Sequence, residues 1–210
     1  ACGMLADMAP NISLLLLDAD GVLLRVQRSR YVQHLAANVC LSPSGVQALA
    51  SSHGLDHAYS EGALDTAGYL AALSRAVGCR IDAAQWVEAR TRASTPQHCV
   101  LQRLQALPER VALAVLSNNG ALIEQVIAHH LTHLWPRLAG RILCSGRLGI
   151  RKPEPKVFLQ ALQLLQGTPR QTLFLDDLFT HVRGARQAGL HAETVHDGRS
   201  LGKVLKRYAW

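Results

Sequence analysis

The chain has 210 residues, 49% hydrophobic and 18% charged, with 16 Gly and 8 Pro. This composition fits one large domain or a domain carrying an insertion, and it excludes disordered, collagen-like and low-complexity classes. The net charge of +7 raises nucleic-acid binding, but only Lys152, Lys156, Lys203 and Lys206 are lysines, the arginines are scattered and aromatics are 5%, so the expected partner is a small anionic metabolite and no nucleic acid.

Residues 1–10 lack periodicity and read as a loose arm. Residues 12–17 are an apolar run ending in Asp18-Ala19-Asp20-Gly21, the pattern of a strand buried on both faces with a polar loop at its carboxyl end. No Lys or Arg precedes this run, the first being Arg25, so the expectation is a cytoplasmic protein without an export signal. Residues 26–95 are too many for one crossover. They show helical spacing at Tyr31/Leu35/Val39, at Ala67/Leu70/Ala71/Leu73/Ser74/Val77 and at Ala83/Trp86/Val87, which predicts a helical insertion with no strong strand.

Residues 111–116 form a second buried strand, ending in Ser117-Asn118-Asn119-Gly120. It is the longest aliphatic run and far too short to span a bilayer, so no membrane contact is expected. Residues 142–144 lead into Ser145-Gly146; a helix follows Lys152-Pro153-Glu154-Pro155, with Val157, Phe158, Ala161, Leu162 and Leu165 on one face. Residues 172–175 run into Asp176-Asp177, a helix through Val182 and Ala185 stops at Gly189, residues 191–195 form a fifth strand, and residues 199–210 an amphipathic helix. The alternation predicts right-handed crossovers and a parallel sheet with helices on both faces. Ligands of such sheets bind beyond the carboxyl ends of the strands, where these polar loops lie. Cys2, Cys40, Cys79, Cys99 and Cys144 are scattered without a CxxC pair, which predicts reduced, mostly buried thiols. His129 and His133 share a spacing of four but lack acidic or cysteine partners, so a zinc site is not expected.

The chemistry concentrates in two acidic pairs, Asp18/Asp20 and Asp176/Asp177, each at a strand end, with Ser117 at another and Lys152 after a third. Carboxylates converging on one sheet edge repel unless a divalent cation lies among them, and an oxygen-rich set suits Mg²⁺. Each motif alone has a plainer reading: a turn for Asp18 and Asp20, a helix cap for Ser117-Asn118, a solvated lysine for Lys152. Their joint occurrence in this order makes those plainer readings unattractive.

The motifs Leu17-Asp18-Ala19-Asp20-Gly21-Val22, Leu116-Ser117-Asn118-Asn119, Arg151-Lys152-Pro153-Glu154-Pro155 and Phe174-Leu175-Asp176-Asp177 resemble those of the haloacid dehalogenase-like (HAD) hydrolase superfamily. Leu148-Gly149-Ile150-Arg151-Lys152-Pro153-Glu154, and Asp176-Asp177 followed by Gly184-Ala185, are similar to the group containing α-D-glucose-1-phosphatase and the phosphatase domain of soluble epoxide hydrolase. The resemblance implies a Rossmann-like α/β core at residues 11–25 and 96–210 and a small α-helical cap at residues 26–95, inserted after the first strand. It further implies a Mg²⁺-dependent phosphatase acting on a small phosphomonoester, best a sugar phosphate. In that reading Asp18 is the nucleophile, Asp20 the general acid and base, and Ser117 and the Asn118 N–H hold the phosphoryl group. Lys152 offsets charge at the phosphoryl group and orients Asp18. Mg²⁺ lies on the Asp18 side chain, the Asp20 carbonyl and Asp177, with Asp176 acting through water.

Other readings are a nucleotide phosphatase, a phosphomutase, a 2-haloacid dehalogenase or a non-catalytic binding module. Asp20 favours phosphoryl transfer over dehalogenation, and residues 26–95 contain no lysine of the kind the resembling mutases use. Arg25, Arg28, Arg30, His34, His53, His57 and Tyr59 are the candidates for contacting the leaving group.

Overall fold

A computed structural model describes residues 11–208 and 210; residues 1–10, including the expected arm and Cys2, lie outside the described residues. In chain order the elements are β1 (Leu14–Leu17), β2 (Leu24–Val26), α1 (Arg28–Asn38), α2 (Pro43–Ala50), α3 (His53–Glu61), α4 (Thr66–Val77), α5 (Ala83–Arg92) and β3 (Ser94–Pro96). There follow α6 (His98–Gln105), β4 (Ala112–Ser117), α7 (Ile123–His130), α8 (Trp135–Leu138), β5 (Ile142–Cys144), α9 (Ser145–Leu148) and α10 (Pro155–Leu165). The chain closes with β6 (Thr172–Asp176), α11 (Phe179–Gln187), β7 (His191–Thr194) and α12 (Gly198–Arg207).

Five strands form a sheet in the order β5-β4-β1-β6-β7, and every neighbouring pair is parallel. The central strand, β1, is four consecutive leucines, all buried. Leu15 and Leu17 join one apolar cluster and Leu14 and Leu16 the other, as side chains of alternating direction must in a sheet covered on both faces. One cluster includes Val100, Ile123, Val126 and Leu201 from α6, α7 and α12. The other includes Val157, Phe158, Ala161, Val182 and Ala185 from α10 and α11. The α/β architecture expected from the sequence is therefore present. No helix among the described residues is long and apolar enough to cross a membrane.

Between β1 and β4 the structure adds an antiparallel ribbon, β2 with β3, in which Leu24 faces Pro96 and Val26 faces Ser94. No strong strand was expected in this insertion, because three residues are too few to show a two-residue period. The five helices α1–α5 lie between the two ribbon strands. Their return onto the sheet side is fixed by buried polar contacts. The Leu122 N–H donates to Tyr59 Oη (3.1 Å), Ser145 Oγ donates to the Ser60 carbonyl (2.6 Å), and Gly120 lies so close to the Tyr59 ring that a Cβ there would collide with it.

The thiol expectation needs correction. Cys144 is buried and Cys79 half-buried, but Cys40 and Cys99 are exposed, and all four are free. Cys99 falls on the solvent side of α6, whose buried positions are Val100 and Leu104. The shared face expected for His129 and His133 is also broken, because α7 ends at His130.

Candidate active site

The parallel topology brings the ends of β1, β4 and β6 side by side, so Asp18, Ser117 and Asp176 emerge on one edge of the sheet. Lys152 reaches that edge from the loop after α9. Its N–H donates to Asn118 Oδ1 (3.0 Å) and Asn118 Nδ2 donates to its carbonyl (2.9 Å). This reciprocal pair of bonds locks two loops from opposite sides of β5 together. It also fixes the orientation of the Asn118 side chain.

Lys152 Nζ lies 2.8 Å from Asp18 Oδ1 and 2.7 Å from Asp176 Oδ2, with no exposed side-chain surface on Lys152 or Asp176. Burial alone would favour the neutral amine, but the two carboxylates reverse that and push the Lys152 pKa up. Asp176 is the saturated member. Its Oδ1 accepts from the Leu178 N–H (2.8 Å) and from His181 Nδ1 (3.0 Å), and its Oδ2 accepts from Lys152 and from His181 Nδ1 (2.9 Å). Burial raises its pKa, but the His181 bond and the Lys152 charge outweigh that and hold it at about 2. Asp18 goes the other way. Burial, helped by the Asp176 charge, pushes it up to about 8 against the pull of Lys152.

Both donors to Asp18, the Ala19 N–H (2.7 Å) and Lys152, fall on Oδ1. Oδ2 is thus left without a protein donor among the described residues. Asp20 sits on the next turn of chain. Its Oδ2 accepts from Arg90 Nη2 (2.6 Å) and Asn119 Nδ2 (3.0 Å), while its Oδ1 is buried without a partner. Asn119 Nδ2 also donates to the fully buried Ser117 hydroxyl (2.8 Å). Asp177 lies against this loop. Gly21 has φ +93°, and a Cβ there would run into the Asp177 carboxylate, so glycine is what admits that carboxylate beside Asp18 and Asp20. Burial first, then the Asp176 charge, raises the Asp177 pKa.

The free donor atoms at this edge decide which cation could sit there. Asp18, Asp176 and His181 offer ligand atoms within 4.8 Å of one another, but the His181 nitrogen and both Asp176 oxygens are already hydrogen-bonded. What remains is oxygen: Asp18 Oδ2, the Asp177 carboxylate and backbone carbonyls of the intervening loop. Four carboxylates face two cations, Lys152 and Arg90. An oxygen-only set with surplus negative charge fits a hard divalent ion such as Mg²⁺.

The sequence-predicted residues Asp18, Asp20, Ser117, Asn118, Lys152, Asp176 and Asp177 therefore share one edge of the sheet. Three further residues at the site were not singled out. His181 had a detectable signal, since five residues carry the chain from the end of β6 back over it on the first turn of α11. Asn119 was quoted in a motif but given no role. Arg90 lies 70 positions from Asp20, on a helix whose spacing says nothing about that contact. Of the residues nominated for the leaving group, Arg28 and Tyr59 line a cavity of about 160 Å³ beside Arg90 and Asn119. Arg25, Arg30, His53 and His57 are exposed, and His57 pairs with Glu61 (3.1 Å).

Comparison with known proteins adds an independent line. The sequence model of the haloacid dehalogenase-like hydrolase family matches residues 12–189. Bifunctional epoxide hydrolase 2 from Sus scrofa is 36% identical over 63 residues, 30% of this chain and 11% of that protein. Phosphoserine phosphatase from Thermus thermophilus is 34% identical over 95 residues, 42% of this chain and 35% of that protein. The chain thus aligns with about a tenth to a third of these curated relatives. A HAD family enzyme from Bacteroides thetaiotaomicron, solved as a magnesium complex, superposes with a TM-score of 0.75 at 19% identity, covering 93% of this chain and 99% of that one.

Proposed function

Given that the chain belongs to the haloacid dehalogenase-like hydrolase family, we propose that it is a Mg²⁺-dependent phosphatase. It hydrolyses a small phosphomonoester, best a sugar phosphate, through an aspartyl-phosphate on Asp18. The observation that carries this reading is the Lys152 ammonium held between Asp18 and Asp176, which fixes one Asp18 oxygen and leaves the other without a protein donor. The magnesium complex of the Bacteroides enzyme and the phosphoserine phosphatase relative support the metal and the reaction class.

In this reading Asp18 Oδ2 attacks phosphorus in line with the ester oxygen, and the P–O bond to the leaving group breaks. Asp20 gives its proton to the departing oxygen and then takes one from the water that attacks the aspartyl-phosphate. Arg90 and Asn119 hold Asp20 in place for both steps. Ser117 Oγ and the Asn118 N–H grip the phosphoryl oxygens, and Lys152 offsets their charge. Asp18, the Asp20 carbonyl and Asp177 would hold Mg²⁺, with Asp176 acting through water; the ion, when bound, neutralises charge on the phosphoryl oxygens. Asp176 also anchors Lys152 and His181.

Residues 11–25 and 96–210 are the core in this account, and residues 26–95 the cap that shields the phosphoryl group from water; the setting is cytoplasmic and the partner a small phosphorylated metabolite. Asp20 sets the reading apart from a haloacid dehalogenase. The test is acid quenching during turnover followed by peptide mass analysis. One phosphoryl group on the peptide containing Asp18 is expected, and phosphate release without any such adduct under single-turnover conditions would defeat the mechanism.

A further inference from the structure

Two paired strands, β2 and β3, join the five helices of the insertion to the rest of the chain. A lid would swing about this ribbon, because hinges lie at a few loop or element-end residues. Here the ribbon is itself tied to the loop after β1. The Gln97 N–H donates to the Leu23 carbonyl (2.9 Å), and Gln97 Nε2 donates to the Gly21 carbonyl (2.6 Å).

Beyond the ribbon the cap meets the core again at both ends of α7. At its start the Leu122 N–H donates to Tyr59 Oη of α3 (3.1 Å), and beside it Ser145 Oγ donates to the Ser60 carbonyl (2.6 Å); both bonds are buried. A Cβ on Gly146 would run into the Tyr59 carbonyl, and one on Gly62 into the Gly146 carbonyl, so backbone lies against backbone with no side chain between them to give way. At the other end His130, the last residue of α7, bonds the Thr91 carbonyl of α5 through Nε2 (3.1 Å). A carbonyl only accepts, so that nitrogen carries the proton. The 8 residues of α7 set the two anchors roughly 12 Å apart.

The two anchored helices belong to one body, held together by the aromatic residues around the cavity. Tyr59 stacks on Tyr69 of α4 with centroids 4.3 Å apart. The Tyr69 hydroxyl accepts from Trp86 Nε1 of α5 (3.0 Å) and donates to Asp56 of α3 (2.7 Å). A swing about the ribbon would therefore carry α3 and α5 together and release both ends of α7 at once. Thr91 follows Arg90, whose guanidinium holds Asp20 (2.6 Å), so the same release would strip Asp20 of that partner.

We infer that the cap is a fixed wall, not a lid, and that His130, by holding α5, is a positioning residue for Asp20 acting through Arg90. The role of His130 rests on the phosphatase reading; the fixed wall does not.

Amide hydrogen exchange on the full chain tests the wall. The Leu122 N–H precedes α7, and amides at a helix start have no intrahelical acceptor, so its protection reports the contact with Tyr59, while Val115 inside β4 reports global unfolding. The two amides are expected to be protected to within about tenfold of each other, in a ratio that Mg²⁺ and orthovanadate leave unchanged. Leu122 protection more than about tenfold below that of Val115, or rising relative to it with orthovanadate, overturns the inference. If Leu73 inside α4 then stays protected the cap swings as a lid, and if Leu73 is lost as well the cap unfolds locally. For the positioning role, His130→Ala and His130→Gln are compared with wild type on an alkyl phosphate and on p-nitrophenyl phosphate, whose leaving oxygen needs no proton. His130→Ala should lower the alkyl-to-nitrophenyl ratio of kcat/KM roughly 3- to 10-fold. His130→Gln, whose amide nitrogen donates from nearly the same place, should restore it. An unchanged ratio in His130→Ala, or no recovery in His130→Gln, overturns the role of His130. If wild type turns over neither ester, the phosphatase reading falls, and the exchange result still decides whether the wall is fixed.

Discussion

Replacing Lys152 by Met tests how the site is held together. The Lys152 side chain has no exposed surface and lies 2.8 and 2.7 Å from two buried carboxylates, while Met fills most of its volume without charge. Removing one partner of a buried ion pair costs about 3–5 kcal/mol, since the carboxylates lose their counter-charge in a medium that solvates them poorly. For a chain of this length each kcal/mol corresponds to about 2–4 °C in Tm, so a drop of roughly 6–20 °C is expected in Mg²⁺-free buffer at pH 8. The drop has a definite pH dependence. Without Lys152 the native pair binds protons more tightly than the unfolded chain, whose carboxylates titrate near 4, so the penalty grows as pH rises and is smaller at pH 5. Urea denaturation at both pH values measures it, and phosphate release should fall by about 10²–10³. A Lys152→Met protein as stable as wild type at pH 8, or one destabilised more at pH 5 than at pH 8, would refute the reasoning.

Other perturbations should give equally distinct results. Gly21→Ala places a Cβ at φ +93° against the Asp177 carboxylate; a stability loss of about 1–2 kcal/mol from the left-handed backbone is expected, together with weaker Mg²⁺ binding by calorimetry. Arg90→Gln releases Asp20 from its 2.6 Å partner; turnover of alkyl phosphates, whose leaving oxygen needs a proton, should fall about tenfold or more relative to p-nitrophenyl phosphate, whose leaving group does not. Burial holds the Asp18 pKa well above that of an unfolded carboxylate, which titrates near 4, so in EDTA its contribution to stability declines as pH rises above about 4. Mg²⁺ replaces that proton, so the Tm gain on adding Mg²⁺ should increase from pH 6 to pH 8; a gain that shrinks over that range would contradict the assignment of Asp18 to the metal.

The sheet was readable because four consecutive buried leucines in β1 and the run in β4 carry a strand signal that no helix of that length would give, and because each run stops at a polar loop. The acidic pairs, Ser117 and Lys152 were readable for the same reason: they sit at those stops. Arg90 was not, since its contact with Asp20 spans 70 residues and depends on how α5 lies over the sheet edge, which local spacing does not encode. The ribbon of β2 and β3 was hidden by its three-residue strands. The aromatic cavity was hidden too: Tyr31 and Trp86 read as ordinary amphipathic positions, Tyr69 lay outside the spacing picked out for its helix, and the network joining Tyr69 and Trp86 to Arg28 and Asp56 links separate helices, which local spacing does not encode.

The most direct measurement is phosphate release from a sugar phosphate and from p-nitrophenyl phosphate, by wild type and Asp18→Asn, in Mg²⁺ and in EDTA. The account predicts turnover by wild type in Mg²⁺ alone, abolished by Asp18→Asn without loss of fold. Turnover that survives either EDTA or Asp18→Asn, or a folded wild-type protein inert on both esters, would contradict it.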